Sequence, residues 1–351
     1  MVKVLIVEDS PVQQALIGHI LSTDPEVSVI GTANNGAEAV EFVTRQRPDV
    51  ITMDLNMPQM NGLDATRRIM ETTPVPIVIV SANWDPQEVA TTFRAIEAGA
   101  LAGVEKPRGL GHKDFASTAQ QLVQTIKLMS EVKVVRRWPR RQLEQPVPTV
   151  IPPLPEISQP TTAIKLVAIG ASTGGPPVLQ TLLSSLPKQF SVPVLIVQHI
   201  AVGFLPGLVE WLSQVTHFPV RIPADGDLLL PGHAYLAPDG FHLGIGRGPR
   251  AILSQAPPEN NLRPAVSHLF RSIAETFGNQ SIGVLLTGMG KDGAAELKML
   301  REKGAITIAQ DKESSAVHGM PGEAIQLGAA IHVLPPERIA EALIKLVPKV
   351  S

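Results

Sequence analysis

The sequence contains no cysteine, which excludes a disulfide framework, a zinc–thiolate site and a thiol nucleophile. It has no apolar run near the roughly 20 residues that a membrane-spanning helix requires. An excess of one charge is also missing: 30 Lys and Arg stand against 32 Asp and Glu, for a formal net charge of -2. That balance gives no electrostatic footprint for nucleic acid or an acidic membrane surface. The apolar start Val4-Leu5-Ile6-Val7 is too short for a secretory signal and ends in Glu8-Asp9, so it reads as a buried strand. The expectation is a soluble, cytoplasmic protein with no direct membrane insertion. Hydrophobic residues at 44% and charged residues at 18% suit packed domains, and 351 residues allow two or three of them.

Short apolar runs alternate with amphipathic helical patterns through residues 1–128. Strands are predicted at 3–7, 27–32, 50–53, 77–80 and 102–105, with helices such as 37–45 and 62–70 between them. Five such units predict a parallel sheet covered on both faces. Residues 129–162 then break the pattern: from Trp138 to Pro160 the chain holds seven prolines, which disfavour helix and ladder pairing and predict a semi-rigid linker. From 163 to 348 the alternation resumes, with strands near 166–169, 194–198, 282–286 and 306–309.

In the first domain, chemistry-bearing residues follow the strands. Glu8 and Asp9 come after the first, Asp54 after the third, Ser81 after the fourth and Lys106 after the fifth. Strand ends of an open parallel sheet converge on one crevice. Clustered carboxylates repel unless a cation lies among them, and an all-oxygen set suits Mg²⁺. A hydroxyl and an ammonium opposite them would hold a phosphoryl group on Asp54. Any one of these residues taken alone reads as an ordinary solvated strand end.

In the second domain, Gly170-Ala171-Ser172-Thr173-Gly174 satisfies G-x-S-x-G between a strand and a helical pattern starting near 177. The turn would project the Ser172 hydroxyl, and the helix N-terminus would offer free N–H groups to an oxyanion. The same glycine-rich turn could instead cradle a phosphate. A serine nucleophile needs a base and an orienting acid. His199 follows the strand at 194–198 and Asp292 follows the one at 282–286, which brings three groups to one sheet edge. Of the other histidines, His217, His233, His242 and His332 read as surface or packing residues, whereas His268 and His318 could line the pocket. The order Ser172, His199, Asp292 differs from the Ser, acid, His order of α/β-hydrolases.

Two other classes compete. Gly288-Met289-Gly290-Lys291-Asp292-Gly293 also fits G-x-G-x-x-G, and Asp311 lies 18 residues after Gly293, near the spacing of a ribose-binding acid. Against NAD binding, Lys291 and Asp292 put charges where a pyrophosphate would sit, and the serine loop and His199 would have no role. The third class is a non-catalytic docking module gated by the first domain. Release of alcohol from a model ester separates it from an enzyme.

The motifs resemble two known families. Val7-Glu8-Asp9-Ser10, Met53-Asp54-Leu55-Asn56-Met57-Pro58 with Gly62, Ser81-Ala82 and Lys106-Pro107 look like response-regulator receiver domains. That resemblance implies a flavodoxin-like (βα)5 fold and phosphorylation of Asp54 by a chemotaxis-type histidine kinase. It further implies Mg²⁺ held by Glu8, Asp9 and Asp54, a switch made of Ser81 and Lys106, and a cis peptide before Pro107. Ala102 and Val104 stand where many receivers carry an aromatic switch residue.

The segments at 168–175, Gln198-His199, 231–238 and 286–293 resemble the chemotaxis protein-glutamate methylesterase family. This second resemblance implies a doubly wound, mostly parallel α/β serine hydrolase with Ser172, His199 and Asp292 as its triad. Backbone N–H groups of Thr173 and Met289 would form the oxyanion hole, and the catalytic domain would hold no cofactor. The implied function is phosphorylation-activated hydrolysis of glutamate γ-methyl esters on methyl-accepting chemoreceptors, with glutamine deamidation as a second activity, in chemosensory adaptation. The unphosphorylated receiver would restrain the esterase. Asn261, Leu262, Ser267 and Gly322 depart from that family's usual residues and touch the expected substrate-facing loops.

Overall fold

Val4, Leu5, Ile6 and Val7 are buried, as a strand covered on both faces of a parallel sheet must be. They belong to β1 (Val2–Val7) of a computed structural model that describes residues 1–81, 86–109, 111–112, 115–132, 134 and 162–347. The chain divides into two compact units, Met1–Ile151 and Pro152–Ser351. Most of the expected linker at 129–162 lies outside the described residues.

The first unit continues with α1 (Pro11–Ser22), β2 (Val27–Ala33), α2 (Gly36–Arg45), β3 (Val50–Met53), α3 (Gly62–Thr72), β4 (Ile77–Ser81), α4 (Pro86–Ala98), β5 (Ala102–Glu105) and α5 (Phe115–Ser130). Side-chain oxygens start the early helices: Asn35 accepts from the N–H groups of Ala37 and Glu38, and Asn61 from that of Asp64. The five strands pair in parallel in the order β2-β1-β3-β4-β5. The chain thus leaves β1 on one side and returns on the other, opening a crevice at the carboxyl ends of β1 and β3.

The second unit comprises β6 (Leu166–Ala171), α6 (Gly175–Ser185), β7 (Val194–Gln198), α7 (Leu205–Thr216), β8 (Val220–Arg221), β9 (Ala234–Leu236), β10 (His242–Ile245), β11 (Ala251–Ser254), α8 (Val266–Thr276), β12 (Ser281–Leu285), α9 (Ala294–Glu302), β13 (Ile306–Gln310), α10 (Met320–Gln326), β14 (His332–Leu334) and α11 (Pro336–Leu346). Seven strands run parallel in the order β14-β13-β12-β6-β7-β9-β8, and β10 and β11 form a separate antiparallel pair. Every residue of β6 is buried, consistent with its central place. Val266, Leu269, Phe270 and Ile273 form one apolar stripe of α8 at helical spacing, packed into the core with Leu285 and Leu297. The direction of build-up reverses between β6 and β12, so this sheet has its own switch point there.

Candidate functional site

At the crevice of the first unit, Glu8 and Asp9 follow β1 and Asp54 follows β3. An oxygen from each of the three carboxylates lies within 4.8 Å of the others. Lys106 reaches in from the end of β5, with Nζ 2.8 Å from Glu8 Oε2 and 3.1 Å from Asp54 Oδ1. Burial pushes the Asp54 and Glu8 carboxyls above their usual range, against the pull of Lys106. For Lys106, burial opposes the charge, but the two carboxylates outweigh it and hold the ammonium above its ordinary value. One ammonium therefore undercompensates the acids, and an added cation would favour their ionised forms. Ser81 Oγ is buried and has no hydrogen-bond partner among the described residues. An all-oxygen donor set with exposed Asp9 at its rim fits a hard divalent cation that keeps part of its water shell. The peptide before Pro107 is trans, contrary to expectation; the cis X-Pro bond among the described residues is Arg263-Pro264. The two isomers of an X-Pro bond differ by only about 0.5–1 kcal/mol, so the residue pair alone does not decide between them.

In the second unit the register sets the site. Ala171 pairs with Gln198, and the N–H of His199 donates to the carbonyl of Ala171 at 2.9 Å. Ser172 follows on the central strand, and its N–H donates to the carbonyl of Thr287 at 3.0 Å. The serine and histidine thus stand on adjacent strand ends beside the loop carrying Asp292. His199 Nε2 lies 2.9 Å from Asp292 Oδ2, with the carboxylate only 3% exposed.

What holds this carboxylate is the start of α8. The N–H groups of Val266 and Ser267 donate to Asp292 Oδ2 and Oδ1 at 2.6 and 3.1 Å, at the positive end of the helix dipole. Gly293 lets the loop close on α8: its φ is +81°, and a Cβ there would meet Val266 Cγ1 at 2.4 Å. Burial alone would raise the Asp292 carboxyl. The hydrogen bonds from His199, Ser267 and Val266 outweigh it and hold the group below the usual carboxylate range. Asp292 is therefore a buried anion facing an imidazole. Nε2 is committed to the aspartate, leaving Nδ1 of His199 as the nitrogen free to take a proton. No hydrogen bond joins it to Ser172 Oγ; such contacts commonly tighten only once substrate is bound.

The oxyanion expectation is partly revised. The first helical residues of α6 are Gly175, Pro176 and Pro177; prolines have no N–H, and that of Gly175 donates to the carbonyl of Ser172. The helix terminus therefore has few donors to offer. The N–H groups of Thr173 and Met289 donate to no group among the described residues.

Supporting residues escaped the sequence reading. Thr287 Oγ1 donates to the carbonyl of Thr173 (2.9 Å) and accepts from the N–H of Val317 (2.9 Å), while Gln310 Oε1 accepts from the N–H of Thr287 (2.8 Å). Their only signal was the Thr287-Gly288 motif. His268 stacks on buried His242 at 4.5 Å and its Nδ1 bonds to Glu259. The nitrogens of His242 are used by the carbonyl of Pro257 and the N–H of Ala265, so its ring packs the start of α8. His318 bonds to Ser315 Oγ, and its backbone bridges Gly288. The dinucleotide alternative fails on the same loop: Asp292 is turned inward onto His199, and the N–H of Gly293, at the mouth of α9, donates to Ser267 Oγ.

Comparison with known proteins shows the family of each unit. The family model described as CheB methylesterase matches residues 167–343, and that of the response regulator receiver domain matches 4–112. A protein-glutamate methylesterase/protein-glutamine glutaminase of Geobacter metallireducens is 58% identical, covering 99% of each chain. Another, from Syntrophus aciditrophicus, is 53% identical over the full length of both. The crystal structure of the CheB methylesterase catalytic domain of Thermotoga maritima, 40% identical, covers 53% of this chain and 100% of its own, with a TM-score of 0.51. The receiver resemblance and the methylesterase resemblance meet in one polypeptide: the chain belongs to the CheB methylesterase family, with a response-regulator receiver domain ahead of the esterase.

Proposed function

We propose that this chain hydrolyses glutamate γ-methyl esters on chemoreceptors with Ser172 as nucleophile, His199 as general base and acid, and Asp292 as the orienting carboxylate. The observation that carries the reading is the buried His199–Asp292 pair, fixed by the start of α8 beside Ser172 at the switch point of the sheet. Ser172 Oγ attacks the ester carbonyl as its proton passes to His199 Nδ1. The N–H groups of Thr173 and Met289 receive the oxyanion. His199 returns the proton to the leaving methoxide, giving methanol, and then activates the water that releases glutamate from the acyl-enzyme. Deamidation of receptor glutamine follows the same course with ammonia as leaving group, in keeping with the names of the relatives. Methanol release from methylated receptor, measured with purified protein, tests the assignment.

The receiver, through α5, is the control element in this reading, the catalytic part begins near residue 163, and a histidine kinase supplies the phosphoryl group to Asp54. Mg²⁺ held by Glu8, Asp9 and Asp54 would neutralise the acids and accept a phosphoryl oxygen. Ser81 would hydrogen-bond the phosphoryl group and Lys106 would neutralise part of its nearly two negative charges. Asp54→Ala is expected to hold methanol release at the basal rate whatever phosphodonor and Mg²⁺ are added, while the wild type responds. A phosphodonor response of Asp54→Ala equal to wild type would move the acceptor elsewhere.

A further inference from the structure

Gln198, the last residue of β7, spans the two loops that carry the nucleophile and the base. Its Nε2 donates to the carbonyl of Ser172 at 2.8 Å and to that of His199 at 2.8 Å, and the side chain is 5% exposed. Both amide hydrogens are used, so the orientation of the group is fixed. Its Oε1 is left buried with no hydrogen-bond partner among the described residues. Such an orphaned acceptor costs about 1–3 kcal/mol. An apolar side chain of similar length would remove that orphan but would also take the donor from the carbonyl of His199, so what the glutamine adds is the tie between the two peptides.

Gly175 faces the same amide. It starts α6 with φ outside the left-handed region, so its backbone would accept any residue; yet a Cβ there would lie 2.0 Å from Gln198 Oε1. The first obstacle to a side chain at 175 is the glutamine; Ala171 Cβ, 3.0 Å from the same position, is the second.

We infer that Gln198 is a positioning residue for ester hydrolysis: its amide sets the separation between the peptide units of Ser172 and His199, and Gly175 is glycine to admit it. The inference rests on the assignment of Ser172 and His199 as nucleophile and base. The carbonyl of Ser172 also accepts from the N–H of Gly175, so one amide ties the end of β7 to the nucleophile turn and the first turn of α6. Loss of the amide frees the His199 peptide to shift, and a misplacement of about 1 Å costs on the order of 10²-fold in rate.

The test uses full-length protein, with kcat and KM for methanol release from methylated receptor and thermal melting for each variant. Gln198→Met keeps the length and removes the donors. It is expected to lose about 10²-fold in kcat, with KM within about twofold and a melt that stays single and cooperative. Gly175→Ala should lose activity as well, because its methyl drives the amide out. In the double variant Gly175→Ala/Gln198→Ala the methyl is freed of the amide and meets only Ala171 Cβ at 3.0 Å, a contact that a small shift relieves, so its activity should stay close to that of Gln198→Ala alone. Near-normal kcat in folded Gln198→Met, or losses at 175 and 198 that simply multiply, would overturn the inference. Should Gln198→Met fail to fold, the double variant decides. A Ser172→Ala control separates the two levels: turnover retained there removes the nucleophile assignment, whereas an inactive Ser172→Ala beside an active Gln198→Met removes only the role of Gln198.

Discussion

Ser172→Ala is expected to fold like the wild type and to release methanol from methylated receptor roughly 10⁴- to 10⁶-fold more slowly, the scale on which removing a triad nucleophile acts. Folding should survive because the structural bonds of Ser172 are made by its backbone: N–H to Thr287, and carbonyl to Gly175 and Gln198. An alanine keeps all of them. The half-buried hydroxyl takes no part in this frame, so its loss should change stability by about 0.5 kcal/mol or less. Residual activity would come from the N–H groups of Thr173 and Met289 and from substrate binding, which remain intact. The measurement is initial methanol release at saturating receptor, with near-UV circular dichroism to establish folding. A folded variant within about tenfold of the wild-type rate would show that the nucleophile lies elsewhere.

Much of the scaffold was legible because parallel sheets buried on both faces write themselves as continuous apolar runs. The strands expected at 50–53, 102–105 and 194–198 coincide with β3, β5 and β7. Legibility failed where elements are too short to carry a period: β8 has two residues, and β9 and β14 have three each. The side chains proposed as catalytic could be read too, because each follows a readable strand and has a chemistry of its own. What holds them was not. Asp292 is fixed by the N–H groups of Val266 and Ser267, and a backbone donor leaves no trace in residue identity, since any residue but proline supplies it. The scarcity of donors at α6 is itself readable, because Pro176 and Pro177 state it in the sequence.

The same backbone contacts shape the expected behaviour of Asp292→Asn. Both carboxylate oxygens act as acceptors: Oδ2 for His199 and Val266, and Oδ1 for Ser267. An asparagine offers one oxygen and one NH₂. With the oxygen toward Val266 and His199, the NH₂ meets the N–H of Ser267, donor against donor. Turned over, it meets Val266 and makes His199 an acceptor at Nε2, which puts the ring proton on Nδ1, where the serine needs a base. Either way a buried group loses its partner, at about 1–3 kcal/mol, or roughly 2–10 °C in the melting temperature of a domain of this size. Turnover should fall about 10⁴-fold, the scale seen when an orienting aspartate is made neutral and the imidazole is left in the wrong tautomer. The variant should also change how stability depends on pH. The carboxyl of Asp292 is held below its unfolded value, so its contribution is fully present above the usual aspartate range and is lost as pH falls through the lowered value. Asparagine has no such proton to gain. The stability gap between wild type and variant, measured by urea denaturation, should therefore be widest near neutrality and narrow on acidification below the usual aspartate range. A gap that stays constant with pH, together with turnover within about tenfold of wild type, would remove Asp292 from the role of orienting anion.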